Sequence, residues 1–587
     1  MSDDTVSFFA QLKQRHVFRV AAMYCVIAWL LMQLGSVTFE PLGFPAWSQK
    51  ALIILVAVGF PIALVLAWIF DATPHGVVVT DSGSAPRMSR GRKLDIVIIV
   101  GLVAALALTF LWRREPASTP RPVVDASVAV LAFVPIGTDP ALKPLGEALA
   151  EQITNELAGR AELRVASCTS AFEVQSGKDA VAIARALGVS YVLEGSVRPA
   201  DQRTRVTAQL VRGSDGEHLW SETYDIAADQ NAELDRTATT VSFMVTSYIA
   251  LEQVLQLART QTQSQAAYEH FAVAQRLRWV LNTGGATAPK PGEQILGETD
   301  RALSLDPDFV PALLLRANIY LNKFGNRACG ARCPAEARKS IEHALALQPD
   351  DPSALDQLSV LQLEFDLDPS AAEATLDRVR QVDPGYRYLN LGYAQLAMFR
   401  GNTRDARDYL ARQIEMTPYD AYVSFAFGVL LRSLGDITGA ERAFDTSMRV
   451  APRGLSPVAP AVQRISLLIE RGDDEKAKAA FEPLWAEYRY SAPEVFAPVL
   501  GRLGHQQEAK ELAAQLARDA TANPADVFLT YYGPGEYNDA LIWMRRAIDD
   551  RGIIVIFLRV PNLLPGLQEQ PGYAEALKYL DSLQKSR

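Results

Sequence analysis

Two cysteines four residues apart, Cys329 and Cys333 in "ACGARCP", carry the most suggestive chemistry in the chain. Thiols at that spacing around a glycine can close a small disulfide loop outside a reducing compartment, with free thiols as the alternative. A zinc site would need a second cysteine or histidine pair, and none accompanies them. Cys25 lies in an apolar run and Cys168 follows a strand, so both read as packed side chains. Six histidines, His16, His75, His218, His270, His343 and His505, are scattered, with no H-E-x-x-H and no ligand pair at i, i+4. "GSDGEHLW" (213–220) has glycines but no Lys-Ser/Thr behind them, so a turn between strands is expected rather than a phosphate cradle. Trp220 and Tyr224, on one face of the strand that follows, read as buried packing. "DPD" (306–308) and "DLDPS" (366–370) lack the glycine and closing glutamate of a calcium loop and read as helix ends. No Ser, Asp and His are ordered around a nucleophile elbow. These patterns imply no catalytic residue, no cofactor and no metal, and the chain reads as something other than an enzyme.

The elements that hold these residues are easier to read. At 587 residues the chain is too long for one core. Its net charge of -9 argues against a general nucleic-acid binder, which needs a basic face. Three apolar runs, about 20–37, 51–70 and 94–112, each approach the ~20 residues that span a bilayer as a helix. Lys13, Arg15 and Arg19 precede the first, and Arg87, Arg90, Arg92 and Lys93 precede the third, against Lys50 alone between the first two. The positive-inside rule then puts the amino terminus in the cytoplasm. Everything after Trp112 falls on the far side, the periplasm of a Gram-negative cell, with the anchor in the inner membrane. Arg113 and Arg114 pull against that orientation.

Residues 113–126 are rich in proline and form a stalk. From 127 to 228 the pattern is β-α-β-α-β-β-β. "SVAVLAFVPI" is a strand, and Leu145, Leu149, Ile153 and Leu157 mark one helix face. "LRVAS" is a second strand and "AVAIARALG" a helix closed by glycine. Three alternating strands end the series, giving a mixed sheet expected to carry its helices on one face. A connecting helix fills 229–265.

The motifs "VAVLAFVPI", "LGEALAEQITNEL", "LRVASCTSAF", "ALGVSYVLEGSVR" and "VTAQLVRGSDGEHLWSETYD" together resemble the TolB amino-terminal-like, FlgO-like module of bacterial membrane sensor and regulatory proteins. "SFFAQLKQRHVFRVAAMYCVIAWLLMQ" and "GFPIALVLAWIFDATPHGV" are similar to the membrane anchor that often precedes it. Related architectures join this anchor to a class III nucleotide cyclase, a kinase or a winged-helix domain. The nineteen or so residues before the first run, and the two dozen between the second and third, leave no room for such an output domain.

From 266 to 587 helical periodicity takes over. Pro307, Pro349, Pro384, Pro418 and Pro452 close successive helices at spacings of 42, 35, 34 and 34 residues. This period, with small residues at helix crossings, resembles tetratricopeptide repeats. Ala337, Ala372, Ala406, Gly428 and Ala440 are the small residues, and Phe444, like Ile341, Leu376 and Leu410, fills the groove beside them. Six or seven repeats are expected, with spacing that drifts after Pro452.

The fold class expected is therefore multidomain: three transmembrane helices, a small α/β sandwich and an all-α tetratricopeptide-repeat superhelix. Its function would be that of a membrane-anchored scaffold or sensor subunit, with a protein or peptide ligand in the repeat groove and a cytoplasmic or membrane signalling partner. Homo-oligomers are a further expectation, and nucleic acid is not. The alternatives are a structural subunit of envelope assembly, and a cyclase-associated signalling protein without its own catalytic domain.

Overall fold

The computed structural model describes residues 126–160, 163–227, 231–283, 291–321, 332–450, 458–489, 493–519 and 522–585, with a few short pieces before them. The chain divides into two compact units, Met1–Pro120 and Arg121–Arg587. In the first, Met23, Tyr24, Val26, Ile27, Ala28 and Gln33 are helical. Met23, Val26 and Ile27 are more than half exposed. Strands β1 (Asp71–Thr73) and β2 (Gly76–Val78) pair antiparallel. The three apolar runs otherwise lie outside the described residues.

The second unit opens with a sheet of β3 (Ser127–Val130), β4 (Val134–Pro135), β5 (Arg164–Val165), β6 (Tyr191–Ala200), β7 (Arg203–Arg212) and β8 (His218–Ala227). The order is β5-β3-β6-β7-β8, with β4 beside β6. β3 runs parallel to β5 and β6, and β6, β7 and β8 form an antiparallel meander. Helices α1 (Leu142–Ala158), α2 (Cys168–Val174) and α3 (Ala180–Leu187) make the crossovers, and α4 (Asn231–Arg259) follows the meander.

The expectation of helices on one face is corrected here. Val128, Val130, Tyr191, Leu193, Val206 and Leu210 pack with Leu149, Ile153 and Leu157 of α1 and with Val241, Val245 and Ile249 of α4. The alternate residues Ala129, Leu131 and Val192 pack with Ala171, Ile183 and Ala184 of α2 and α3. The cause is topological. The chain steps from β3 to β5 in one direction, then back past β3 to β6 in the other. Right-handed crossovers in opposite directions put their helices on opposite faces. Hence β3 reads SVAV with no polar alternation, the pattern of a strand covered on both faces. β7 does alternate, because its outer face carries Arg205, Thr207 and Gln209 in the open.

Among the described residues α4 is the one helix long and apolar enough to cross a membrane. Half of its apolar window is buried. One stretch lies on the sheet, and Leu251, Leu255 and Ala258 begin the next core. α4 thus joins two cores, which accounts for its composition.

Among the described residues eight helical hairpins follow, against the six or seven repeats expected. They are α5 (Gln265–Asn282) with α6 (Pro291–Leu305), α7 (Val310–Leu321) with α8 (Cys333–Leu347), and α9 (Pro352–Val360) with α10 (Pro369–Val382). α11 (Leu389–Phe399) pairs with α12 (Thr403–Met416), and α13 (Ala421–Ser433) with α14 (Ile437–Val450). α15 (Val458–Glu470) pairs with α16 (Asp474–Tyr488), α17 (Pro493–Leu500) with α18 (Gln506–Arg518), and α19 (Pro524–Tyr532) with α20 (Tyr537–Asp550). Asp351, Asp368, Asn402 and Asp420 cap helix starts by accepting backbone N–H bonds. Gly401, Gly435, Gly472, Gly504 and Gly535 occupy the same turn of the fourth to eighth hairpins, all at positive φ. That left-handed position ends a helix without a Cβ clash. The intervals between them, 34, 37, 32 and 31 residues, are the drift that blurs the later repeats.

After α20 the chain leaves the repeat. Arg551 adopts φ 71°, ψ −160°, a region almost reserved for glycine. The segment from Gly552, including the short α21 (Ile554–Phe557), then crosses three earlier hairpins. Gly552 N–H donates to the Glu364 carbonyl (3.3 Å), Arg559 Nη1 to that of Phe399 (3.1 Å), and Asn562 Nδ2 to that of Ser433 (3.4 Å). These carbonyls lie at the carboxyl ends of the first helices of hairpins three, four and five, where helices lack donors. Val555, Ile556, Leu558 and Val560 of this strap are buried, and α22 (Pro571–Lys585) is the last described element.

Candidate partner-binding surface

The small and bulky residues singled out in the sequence lie between helices. Ala337, Ala372, Ala406, Ala440 and Phe444 are fully buried, and Gly428 is buried. A Cβ on Gly428 would stand 2.5 Å from the Phe444 ring, so glycine is what lets the ring seat against α13. Pro349, Pro384 and Pro418 each stand two residues beyond the end of a second helix, where a missing N–H ends the ladder. Pro452 lies outside the described residues. Cys333 is fully buried and disulfide-bonded, and Cys329 lies outside the described residues. Cys168 is a free thiol that donates to Thr154 Oγ1 (3.1 Å).

The "GSDG" glycines form the β7–β8 turn, with Gly216 N–H bonded to the Arg212 carbonyl (2.9 Å). Arg212 meets Asp215 (3.2 Å), Glu217 and Glu252 (3.0 Å), which neutralise it. A cavity of about 490 Å³ beside it is lined by Arg185, Tyr191 and Gln256 among others. Trp220 and Tyr224 pack against the sheet core. His270, His343 and His505 each sit beside a carboxylate, and no three His, Cys, Asp or Glu among the described residues are placed to hold a metal.

The residues that sequence reasoning missed lie where the first helices of hairpins three, four and five meet. The 35-residue spacing from Pro349 to Pro384 holds one residue more than those that follow. α9 absorbs it by running on into a π turn, Leu361–Phe365, with Leu367 in the left-handed region. Such turns recur at functional sites. This one carries Glu364, which is 5% exposed, and no hydrogen bond or ion pair to its carboxyl is found among the described residues. Burial pushes it up to about 8. On the same helix Asp356 accepts a bond from Tyr386 Oη (3.2 Å), which favours its charge. Burial outweighs that bond and pushes it up to about 7.

Tyr386, Tyr388 and Tyr422 complete the surface. The first two rings meet edge-on at 6.2 Å. Burial raises all three phenols, and the charges of Asp356 on Tyr386 and of Glu364 on Tyr422 add to it. Tyr422 lies near Gln395 of α11 and is 42% exposed. Arg278 of α5 comes close enough to Tyr388 for their charges to interact, and burial lowers its pKa. The Arg160 guanidinium at the end of α1 lies 3.9 Å from the centre of the Tyr419 ring, and α4 packs against α14. The first five hairpins therefore curl back toward the α/β module, bringing titratable groups from four separate segments together on the inner side.

No family model matches the chain. It is 31% identical over 227 residues to "Putative adenylate cyclase 3" of Rhizobium meliloti (strain 1021), a match spanning 37% of each protein. Similar solved structures include PilW, a type IV pilus biogenesis factor, at 19% identity over 40% of this chain and 99% of that one, with TM-score 0.29. YrrB, a tetratricopeptide protein with an unusual peptide-binding site, is 18% identical over 35% and 95% of the two chains, with TM-score 0.21. A monomeric mutant of IFIT1 is 12% identical over 60% and 82%, with TM-score 0.35. At such scores these likenesses add nothing to what the hairpins themselves establish.

Proposed function

We propose that this protein is a membrane-anchored interaction scaffold that holds a protein partner against the inner face of its superhelix. One observation carries the reading: the perturbed groups Asp356, Glu364, Tyr386, Tyr388, Tyr422 and Arg278 converge from four separate segments on one inner face. Desolvated titratable groups gathered from separate segments are a mark of function, because burying them costs stability. The three apolar runs and the Lys/Arg bias support an inner-membrane anchor with the superhelix in the periplasm. A peptide or protein in the groove is the ligand this face suits.

The sensor form of this reading, in which the scaffold serves a signalling partner, is supported by the identity with a protein named as an adenylate cyclase. Photo-crosslinking in native membranes tests the proposal. A benzoylphenylalanine at position 422 should give a discrete adduct with another polypeptide, and one at Thr223 on the outer sheet face should not. Equal labelling at both, or none at 422, would refute it.

A further inference from the structure

We infer that the inner face of the third to fifth hairpins recognises a basic segment of its partner, whose lysine or arginine side chains enter between Asp356, Glu364 and the rings of Tyr386 and Tyr422. This rests on the partner-binding reading above and narrows it to one class of charge.

The argument is one of missing donors. Elsewhere in the superhelix, carboxylates meet cations: Asp366 pairs with Arg338, Glu373 with Arg400 (2.7 Å), Glu441 with Arg471 (2.9 Å) and Glu470 with Arg432. Glu364, two residues from the paired Asp366, has no such neighbour and is nine-tenths buried. An arriving lysine or arginine would bring the positively charged donors that let these carboxyls ionise, since a carboxylate only accepts.

The two nearby arginines do not supply them. Arg387 lies over the Tyr388 ring at 5.1 Å, and the group whose charge Arg278 feels is again Tyr388. Both are placed at Tyr388. Tyrosine faces add a second attraction for an ammonium or guanidinium group. The alternative, an acidic segment, would bring no cation to Asp356 and Glu364 and would approach a chain of net charge -9.

The test uses the full chain and three fluorescein-labelled dodecapeptides, alternating glycine with lysine, serine or glutamate, followed by anisotropy. The lysine peptide should bind at least about tenfold tighter than the serine peptide, and the glutamate peptide should not bind. Asp356→Asn with Glu364→Gln should weaken the lysine peptide by about tenfold or more. Asp408→Asn with Glu415→Gln, on exposed positions of α12, should leave it unchanged. Circular dichroism establishes that each variant is folded. Equal losses in the two double variants would mean diffuse attraction and overturn the inference. So would a lysine peptide that fails to bind. A serine peptide that binds as tightly as the lysine one, and is lost in Tyr422→Ala, would overturn the charge class and leave the partner-binding surface standing.

Discussion

The outer face of the β6–β8 meander and the inner face of hairpins three to five are both polar, and they behave oppositely. On the meander Arg205 makes two bonds to Asp225, at 2.7 and 2.9 Å, and Thr207 faces Thr223. The Arg205 hydrogen bond holds the Asp225 carboxyl below its usual range. On the inner face, burial holds Asp356 and Glu364 above theirs. Polar composition therefore does not mark a site. What distinguishes the inner face is unmet pairing: its groups are desolvated and lack the cations that neighbours of the same type possess.

Three substitutions probe this contrast. Phe444→Ala should have the largest effect, because the inner face exists only while α13 and α14 stay seated. Emptying a fully buried phenylalanine site typically costs about 3–5 kcal/mol, read by chemical denaturation of the full chain. A loss near zero would mean that α13 is held by something other than the Gly428–Phe444 contact.

Glu364→Gln should come next, with the opposite sign and a pH dependence. A carboxyl whose folded pKa is raised keeps its proton after the unfolded chain has lost its own. The wild-type protein should therefore lose stability as pH rises from about 4.5 to about 8. Glutamine removes that loss, so the variant should gain on the order of a few kcal/mol near pH 8.5 and little near pH 5. Thermal unfolding at the two pH values reads the difference, and an equal effect at both would place Glu364 in a paired, ionised state.

Arg205→Ala on the meander should do least. Its ion pair is exposed, such pairs contribute little, and no change in melting temperature is expected. A marked drop would remove the distinction between the two faces.

Much of the architecture was legible in the sequence, for physical reasons. The hairpin period shows because unit after unit puts a small residue at the same crossing and, from the fourth hairpin on, a glycine at the same turn. The meander shows because one of its faces meets water, which enforces alternation. Three features did not show. Helices on both sheet faces follow from the direction in which the chain steps between strands, which no local pattern records, although the unbroken apolar run of β3 hinted at it. The strap from Gly552 onward has no repeat phase, and its apolar residues resemble those of any core. The inner-face carboxyls were hidden because Asp356 and Glu364 look like ordinary helix residues until three helices meet. Their one trace was the single extra residue between Pro349 and Pro384, which the π turn takes up.

The central claim, that a buried carboxyl on the inner face stays uncharged for want of a cation, is tested most directly by infrared difference spectroscopy of the full chain. Spectra taken near pH 6.5 and near pH 9 should differ by the carbonyl stretch of a protonated carboxylic acid. That band should shrink in Glu364→Gln, shrink further when Asp356→Asn is added, and persist in the Asp408→Asn control. A wild-type spectrum without the band, or a band unaffected by Glu364→Gln, would contradict the account.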